Sequence, residues 1–420
     1  MDEQQKMSGF YGWKNAGILF TTYFIGLGIV FYGFSVIFPN MIKDMGWGRG
    51  EAAIAHTIRG IVVGLLSPLV ALLIKRIGSR KTLSLGILIM IIVLFFLGTV
   101  TKLWHWILLW GFIMSIGFAL AGLLVHQTAV TNWFSVKRGA VLGLVMSGAS
   151  VGGFVATPTF TWIMQNTNSW RWGWLICGMF CVLALAISYW LKDNPVDLGQ
   201  HPDGISPNEE EVALGKARVA RTYKTPVEWM LSDAIRTRFL WFSLVINISQ
   251  IMGLYMMVVH GVLHITDLGY SEMQAASIIG FVILAGGVAR FPMGWLGDYI
   301  EPRWIINITC LVMSISFIGI WKGPSFTMLM IAGPFFGVCY GTILVLISAL
   351  VANYFGQDLF PNVMGFIMPF LVVIGAIVPV GAGYIADALG SYDLAFMIII
   401  LIMMIGFILS FFLTPPKAKV

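Results

Sequence analysis

Twelve apolar stretches limit what this chain can fold into. Each is close to the ~20 residues that an α-helix needs to cross the hydrocarbon core of a bilayer. Because backbone polar groups find no water in lipid, such stretches form helices that satisfy their own hydrogen bonds. Only 10% of the residues are charged, whereas roughly a quarter are charged in soluble domains. The sequence therefore predicts an all-α membrane protein with spans at about 15–38, 52–74, 82–101, 104–131, 139–162, 171–191, 240–264, 273–297, 304–321, 325–351, 362–386 and 394–413.

One long polar segment divides the spans into two groups of six. It runs from Lys192 to Arg238 and contains three consecutive acids at 209–211. We expect an N-terminal six-helix bundle over 1–191, a cytoplasmic central loop over 192–238 and a C-terminal six-helix bundle over 239–420. The first span is expected to be retained, since no cleavage-site pattern follows it.

Lysine and arginine collect on one side of this topology. If both termini are cytoplasmic, eighteen of the 25 basic residues lie inside and five outside, and the remaining two, Arg59 and Arg290, lie within spans. We therefore predict an integral protein of the cell (inner) membrane with both termini cytoplasmic. The net charge of +6 then follows from topology and requires no nucleic acid partner.

Two features of the first half recur in the second at a nearly constant offset. The second span ends in IKRIGSRK (74–81) and the eighth in GDYIEPRW (297–304), which places Lys75 opposite Asp298, 223 residues later. The fifth span is preceded by NWFSVKRGAVLG (132–143) and the eleventh by NYFGQDLFPNVMG (353–365). Such a repeat indicates a parallel duplication, typical of transporters that bind substrate between their halves at mid-depth.

The halves, the central segment and the GSRK turn after the second span resemble the major facilitator superfamily over the whole chain. Four phrases resemble its monocarboxylate transporters and the related oxalate/formate antiporter group: YGW (11–13), NWFSVKRGAVLGLVMSGASVGG (132–153), NPVDLGQHPDG (194–204) and ARFPMG (289–294). The resemblance implies a secondary transporter of small organic anions, above all monocarboxylates. It would work by alternating access, coupled to proton symport or anion exchange.

The chain also departs from that family's pattern. Lys75 stands where an acid is usual after the second span, and Gly286 stands where the monocarboxylate transporters usually carry an aspartate. The lysine that the antiporter group has in its eleventh span is missing between Pro361 and Ala386. Proton symport and anion exchange therefore both stay open.

Arg290 is the foremost substrate-binding candidate. A charged side chain inside hydrocarbon costs at least ~2.5–3.5 kcal/mol, so it normally has a partner or faces a water-filled cavity. Its guanidinium can hold a carboxylate with two hydrogen bonds, and the resemblance implies that role for the arginine of ARFPMG. Arg59, in the outer half of the second span, attracts anions, extends to the interface as a snorkelling side chain, or pairs near Glu51.

Histidines and tyrosines within spans are further substrate-binding candidates. A histidine can change charge near neutral pH, and a buried tyrosine hydroxyl requires a partner. Each of these residues could equally be a packing residue whose polar atoms are satisfied. The candidates are His126, His260, Tyr32, Tyr255 and Tyr340.

Charges at the cytoplasmic ends of the spans indicate a gate between the halves. An acid of one half faces basic residues of the other in two places, with the signs exchanged between them. We predict that these charges close the inner side when the carrier opens outward. The gating residues are Lys75, Arg76 and Asp358 in one set, and Lys137, Arg138 and Asp298 in the other.

Glycines in the fifth span have the small-residue spacing of close helix packing: Gly143, Gly148, Gly152 and Gly153. No strand precedes them, which excludes a nucleotide-binding loop.

Two other functions are compatible with this architecture. An exporter of amphipathic or aromatic compounds would use the Met- and Phe-rich interior as a loose apolar cavity. A membrane sensor could bind the same anion without carrying it. No nucleophile and base pair, metal-ligand set or paired carboxylates occur at membrane depth, so we expect no enzyme, metal or cofactor. The expected partners are a small organic anion, the lipid bilayer and, for symport, protons.

Overall fold

The computed structural model describes residues 9–134, 138–205, 223–356 and 359–416. These residues form helices joined by short connections, and no strand occurs among them. Eleven of the helices are long and apolar enough to cross a membrane. One of these, Arg49–Leu97, is broken at Gly78 and makes two crossings. The predicted all-α fold with twelve spans is confirmed.

The spans are numbered in chain order. The N-half contains α1 (Gly12–Met45), α2 and α3 (49–77 and 79–97), α4 (Leu103–Trp133), α5 (Arg138–Thr167) and α6 (Arg171–Ser188). The C-half contains α7 (Arg238–Asp267), α8 (Glu272–Tyr299), α9 (Pro302–Lys322), α10 (Phe326–Phe355), α11 (Phe360–Leu389) and α12 (Asp393–Ser410). The parts of the central segment that the structure describes contain three short helices, Pro195–Leu198, Pro202–Gly204 and Leu231–Ile235.

The turn between α2 and α3 depends on glycine. Gly78 has φ +85° and ψ 165°, a backbone conformation that essentially only glycine adopts. A Cβ there would lie 2.5 Å from the carboxylate of Asp193, which accepts a hydrogen bond from the backbone N–H of Arg80 (2.8 Å). The GSRK turn is thus held by the segment that follows α6.

Both ends of the described chain lie at one end of the bundle. The hydroxyl of Tyr11 donates to the carbonyl of Trp190 after α6, and the hydroxyl of Tyr354 at the end of α10 donates to Glu301 (2.9 Å) and lies 3.4 Å from the carbonyl of Leu413. We call this the terminal end and the opposite one the far end. Basic residues described at the terminal end include Lys75, Arg76, Arg80, Lys81, Lys192, Arg236, Arg238 and Arg303.

The two halves meet where α2 packs on α11. Gly50, Thr57, Gly60 and Gly64 form the contacting stripe of α2, and the hydroxyl of Thr57 donates to the carbonyl of Ala376. Such small residues let two helices approach closely. Beyond Gly64, towards the terminal end, this stripe is exposed at Ser67, Pro68 and Lys75. This seam between the halves is therefore closed at the far end and opens towards the terminal end.

Helices α5 and α8 form the second contact between the halves. Ser150 packs on Gly287, Gly153 on Ile283 and Thr157 on Gly280. Within the N-half, the predicted close packing is confirmed for three glycines, because Gly148 and Gly152 lie against the backbone of α1 and Gly153 lies against Tyr32. It is wrong for Gly143, because a Cβ added at that position would have no atom within 4 Å and would face open space.

The far end is closed by a group of charges that we call the far-end lock: Arg49, Asp267 and Asp387. The guanidinium of Arg49 binds both carboxylate oxygens of Asp267, at 2.6 and 3.1 Å. The carboxylate of Asp387 accepts the backbone N–H groups of Arg49 (3.2 Å) and Gly50 (2.9 Å) at the start of α2. An anion is favoured at a helix N-terminus, so Asp387 stabilises α2 while joining it to α11.

Tyr392 extends the far-end lock into the C-half. Its ring lies 5.3 Å from the guanidinium carbon of Arg49. Burial raises the pKa of its hydroxyl, so the hydroxyl stays protonated and donates to Nδ1 of His260 (3.0 Å). Arg49 is one of the five basic residues predicted outside, and nothing in the sequence indicates that it joins the two halves.

Breaking the far-end lock should expose the seam from that end. In an Ala53→Cys background, Arg49→Ala should speed maleimide labelling of the new cysteine about two- to fivefold, the effect of losing one partly exposed ion pair. Ala53 is fully buried and continues the α2 stripe. Labelling rates in detergent, measured by peptide mass spectrometry, would check this.

Arg171→Ala is the matched control, because Arg171 pairs with Asp44 at the same end but within the N-half. An equal acceleration in both variants would mean that the far-end lock does not hold the halves together.

Candidate functional site

Arg290 lies on α8 where that helix lines the seam. Its Nη2 donates to the hydroxyl of Tyr340 on α10 (3.3 Å), and the guanidinium carbon lies 5.8 Å from the centroid of the same ring. Its Nε is buried and has no hydrogen-bond partner among the described residues. The side chain as a whole is half-buried, and its guanidinium retains an N–H donor for a ligand.

Tyrosines from both halves surround this guanidinium. Tyr23 and Tyr32 of α1 interact electrostatically with Arg290, and the hydroxyls of Tyr32 and Tyr340 interact with each other. All three tyrosines are buried. We call these four residues the Arg290 cluster. Its polar groups come from α1, α8 and α10, so it spans the seam between the halves.

A π-helical segment over Phe24–Phe31 places the two tyrosines of α1 together. Nine residues apart, Tyr23 and Tyr32 would lie on opposite faces of an α-helix with 3.6 residues per turn. The wider turns of the π-helix rotate them towards the same side. Tyr23 was not among the predicted site residues, and regular helical periodicity could not have identified it.

Close packing explains why position 286 carries no acid. A Cβ added at Gly286 would overlap the ring of Tyr340, and one added at Gly341 would overlap the carbonyl of Gly286. Helices α8 and α10 therefore touch backbone to backbone at this level. The space that an aspartate side chain would need is filled by the tyrosine that contacts Arg290.

Neither arginine inside the spans has a counter-charge in the described parts of the chain. The ion pairs found there join Arg49 to Asp267 and Arg171 to Asp44. Both of these pairs lie at the far end. Arg59 and Arg290 are left with aromatic and neutral polar neighbours, so the seam carries uncompensated positive charge at two places.

Arg59 forms a second group, nearer the far end, with His56 and Tyr255. Its Nη2 lies 3.2 Å from Nε2 of His56, and it interacts electrostatically with Tyr255 of α7. We call these three residues the Arg59 cluster. Tyr255, predicted as a substrate ligand, thus lies beside Arg59, and His56 was missed as its partner. The alternative of an arginine extending to the interface is wrong, since Arg59 is only 5% exposed.

The two histidine candidates are hydrogen-bonded within the protein. Nδ1 of His126 lies 2.8 Å from the carbonyl of Gly122, and its Nε2 lies 3.0 Å from the hydroxyl of Thr22. His260 donates from Nε2 to the carbonyl of Pro379 (2.7 Å) and accepts from Tyr392 at Nδ1. In this conformation neither ring has a free nitrogen for substrate. His126 instead packs on Tyr23, with 4.8 Å between ring centroids.

The predicted gating charges stay a prediction. Lys75 and Arg76 are exposed at the open terminal end, where the described residues offer them no ion pair. Lys137 and Asp358 lie outside the described residues, as do the side chains of Arg138 and Asp298.

The family model of the Major Facilitator Superfamily matches residues 18–321 and 264–420. The chain belongs to this superfamily. It is therefore an integral membrane transporter and not an enzyme. Solved structures agree on the fold: a bacterial homologue of the human lysosomal transporter Spinster, inward-facing and unoccupied, superposes with a TM-score of 0.74 at 15% identity, covering 98% of this chain and 100% of that chain.

Relatives of this superfamily member include several monocarboxylate transporters. Monocarboxylate transporter 12 of Rattus norvegicus is 25% identical over 400 residues, which cover 89% of this chain and 78% of that protein. Monocarboxylate transporter 13 of the same species is 22% identical and covers 79% of this chain and 72% of that protein. Monocarboxylate transporter 4 of Gallus gallus is 23% identical, with 93% and 80% covered.

The α8–α10 contact should not tolerate a side chain at position 286. Gly286→Ala forces its new methyl group into the Tyr340 ring, and such overpacking costs about 1–3 kcal/mol. We expect a lower unfolding midpoint in detergent. Gly381→Ala on α11 is the control, because nothing lies within 4 Å of a Cβ there. Equal midpoints for the two variants would contradict the proposed packing.

Proposed function

We propose that this transporter carries small organic anions, chiefly monocarboxylates, by alternating access, and that Arg290 binds the carboxylate. The observation that carries the proposal is a guanidinium inside the spans with an unpartnered Nε and no acid beside it among the described residues. An anion that enters from the open terminal end would supply the missing charge. The named monocarboxylate transporters among its relatives support the same substrate class.

The Arg290 cluster has the chemistry for one carboxylate. The planar guanidinium presents two parallel N–H donors to the two carboxylate oxygens, and it keeps its charge at any working pH. Hydroxyls of Tyr340 and Tyr32 can donate further hydrogen bonds to the same group. The aromatic bodies of these tyrosines suit a short apolar substituent on the substrate.

The missing acid at position 286 favours exchange of anions over proton symport. A carrier that reorients empty must move Arg290 through a closed state without a counter-charge, and a charge inside a bilayer costs at least ~2.5–3.5 kcal/mol. A bound carboxylate neutralises the charge of Arg290 whether the carrier reorients inward or outward. Proton symport would require a group that takes up a proton with the anion, and Gly286 leaves no carboxyl group there.

The distribution of basic residues supports a cytoplasmic terminal end. The lysines and arginines described there lie on the side that opens in this conformation, and basic residues are enriched in cytoplasmic loops. We therefore propose that the protein lies in the cell membrane with the terminal end inside.

Replacing Arg290 should remove anion recognition. Arg290→Ala should weaken lactate binding about 10- to 150-fold, the loss of a charge-assisted hydrogen bond. Arg290→Lys keeps the charge but loses the paired donors, so it should fall between alanine and the parent. Thermal shift of purified protein against a panel of carboxylates, together with lactate uptake into proteoliposomes, would measure both effects.

Arg303→Ala is the control, because Arg303 lies at the terminal end against Trp304, outside the seam. Unchanged carboxylate binding in Arg290→Ala would contradict the proposed site. Competition by hydrophobic cations, with no dependence on carboxylate, would instead favour an exporter of amphipathic compounds.

Exchange makes a separate prediction. In proteoliposomes loaded with labelled lactate, adding unlabelled lactate outside should accelerate efflux about tenfold or more, because the loaded carrier avoids crossing with a bare arginine. A pH gradient alone should drive little uptake into empty vesicles. Strong accumulation under a pH gradient would show proton symport instead.

A further inference from the structure

We propose that the Arg59 cluster is a second anion-binding site, which takes up substrate when the carrier opens at the far end. The inference deepens the proposed function and rests on it. Arg59 is on α2 of the N-half, whereas Arg290 is on α8 of the C-half. Each half would therefore contribute one arginine to the path of the anion.

Two buried N–H groups of the Arg59 cluster lack an acceptor within the described parts of the chain. A guanidinium only donates hydrogen bonds, so Nε2 of His56 must accept from Arg59. The proton of the neutral imidazole then sits on Nδ1, which is buried and has no partner among the described residues. The Nε–H group of Arg59 is likewise buried and unpartnered in the described chain. Buried donors are normally paired, so these two indicate an acceptor that arrives as a ligand.

Aromatic rings compensate part of the charge of Arg59. Its guanidinium carbon lies 4.7 Å from the ring centroid of Phe31 and 5.3 Å from that of Phe118. Such cation–π contacts stabilise a cation without supplying an oxygen acceptor. They explain how Arg59 can stay buried between visits of an anion while its Nε remains free.

The tyrosines that the two arginines meet across the seam are related by the internal repeat. Tyr32 and Tyr255 are 223 residues apart, the same offset that separates Lys75 from Asp298. Each arginine interacts with the tyrosine of the opposite half, since Arg290 interacts with Tyr32 and Arg59 with Tyr255. The same pairing of arginine with tyrosine across the seam thus occurs twice.

The clusters lie at different depths. Arg59 precedes Lys75 by 16 residues, whereas Arg290 precedes Asp298 by eight. At 1.5 Å per residue, Arg59 is about 12 Å nearer the far end. The rings of Phe31 and Tyr32, 5.1 Å apart, connect the two levels.

The two arginines also differ in how far each is buried. In this conformation Arg290 is half-buried beside the open terminal end, whereas Arg59 is buried beneath the far-end lock. Nearby, Thr57 holds α2 against Ala376 of α11, and Tyr255, which lies beside Arg59, packs on Gly375 of α11. Opening the far end separates α2 from α11 and uncovers Arg59 first. An anion would then bind Arg59 before it reaches Arg290.

Side-specific kinetics test this order. Labelled lactate uptake would be measured in right-side-out and inside-out membrane vesicles from cells that make the full chain. Arg59→Gln should raise the KM for loading from the far end about tenfold or more, and the KM from the terminal end by no more than about twofold. Tyr255→Phe, which removes only a hydroxyl, should act in the same direction by a smaller factor.

Arg171→Gln is the control, since it removes a far-end arginine that lies outside the seam. Unfolding midpoints would show whether each variant is folded. If Arg59→Gln does not fold, Tyr255→Phe still tests the proposal. An equal KM increase from both sides, or no increase in either variant, overturns the second site. The proposed function fails separately, if the parent protein neither binds nor transports carboxylates.

Discussion

A positive charge held inside the membrane without a fixed negative partner is the constraint on which the rest of this structure depends. Arg290 and Arg59 are compensated only in part, by tyrosine hydroxyls, a neutral imidazole and aromatic faces. Such neighbours reduce the cost of burial but leave donors unsatisfied. The empty protein therefore keeps buried donors that a bound anion would satisfy. This favours the binding of an anion at mid-membrane.

Helix packing decides which chemistry is available around that charge. The backbone contact between Gly286 and Gly341 brings α10 so near α8 that Tyr340 occupies the place of an acidic side chain. The π-helical turns of α1 then rotate Tyr23 and Tyr32 towards the same guanidinium. Because of these small residues and this irregular helical segment, neutral hydroxyls surround the guanidinium where an acid could have formed an ion pair. This arrangement also affects coupling, because Gly286 leaves no carboxyl group at that position to take up a proton together with the anion.

The sequence predicts the architecture well and the site only in part. Apolar length and basic-residue placement identify the spans, because a bilayer imposes both patterns on a single chain. Arg290 stands out for the same reason, as a charge where charges are rare. Tyr23 could not be recognised, since its role depends on a π-helical segment. His56 could have been, because it precedes Arg59 by three residues and such pairs are neighbours on a helix. The contact of Arg49 with Asp267 joins residues 218 positions apart, and nothing in either local sequence indicates it.

The relative strengths of these interactions decide what drives the conformational change. The ion pair of the far-end lock is partly exposed, with 29% and 42% of its side chains accessible, so it contributes about 0–1 kcal/mol. A carboxylate bound by a buried arginine contributes about 1.5–3 kcal/mol. A ligand shifts a conformational equilibrium only by its difference in affinity for the two states. Because this ion pair is the weaker interaction, an anion held more tightly by Arg59 in the opposite conformation can open it, and release of that anion lets the ion pair close again.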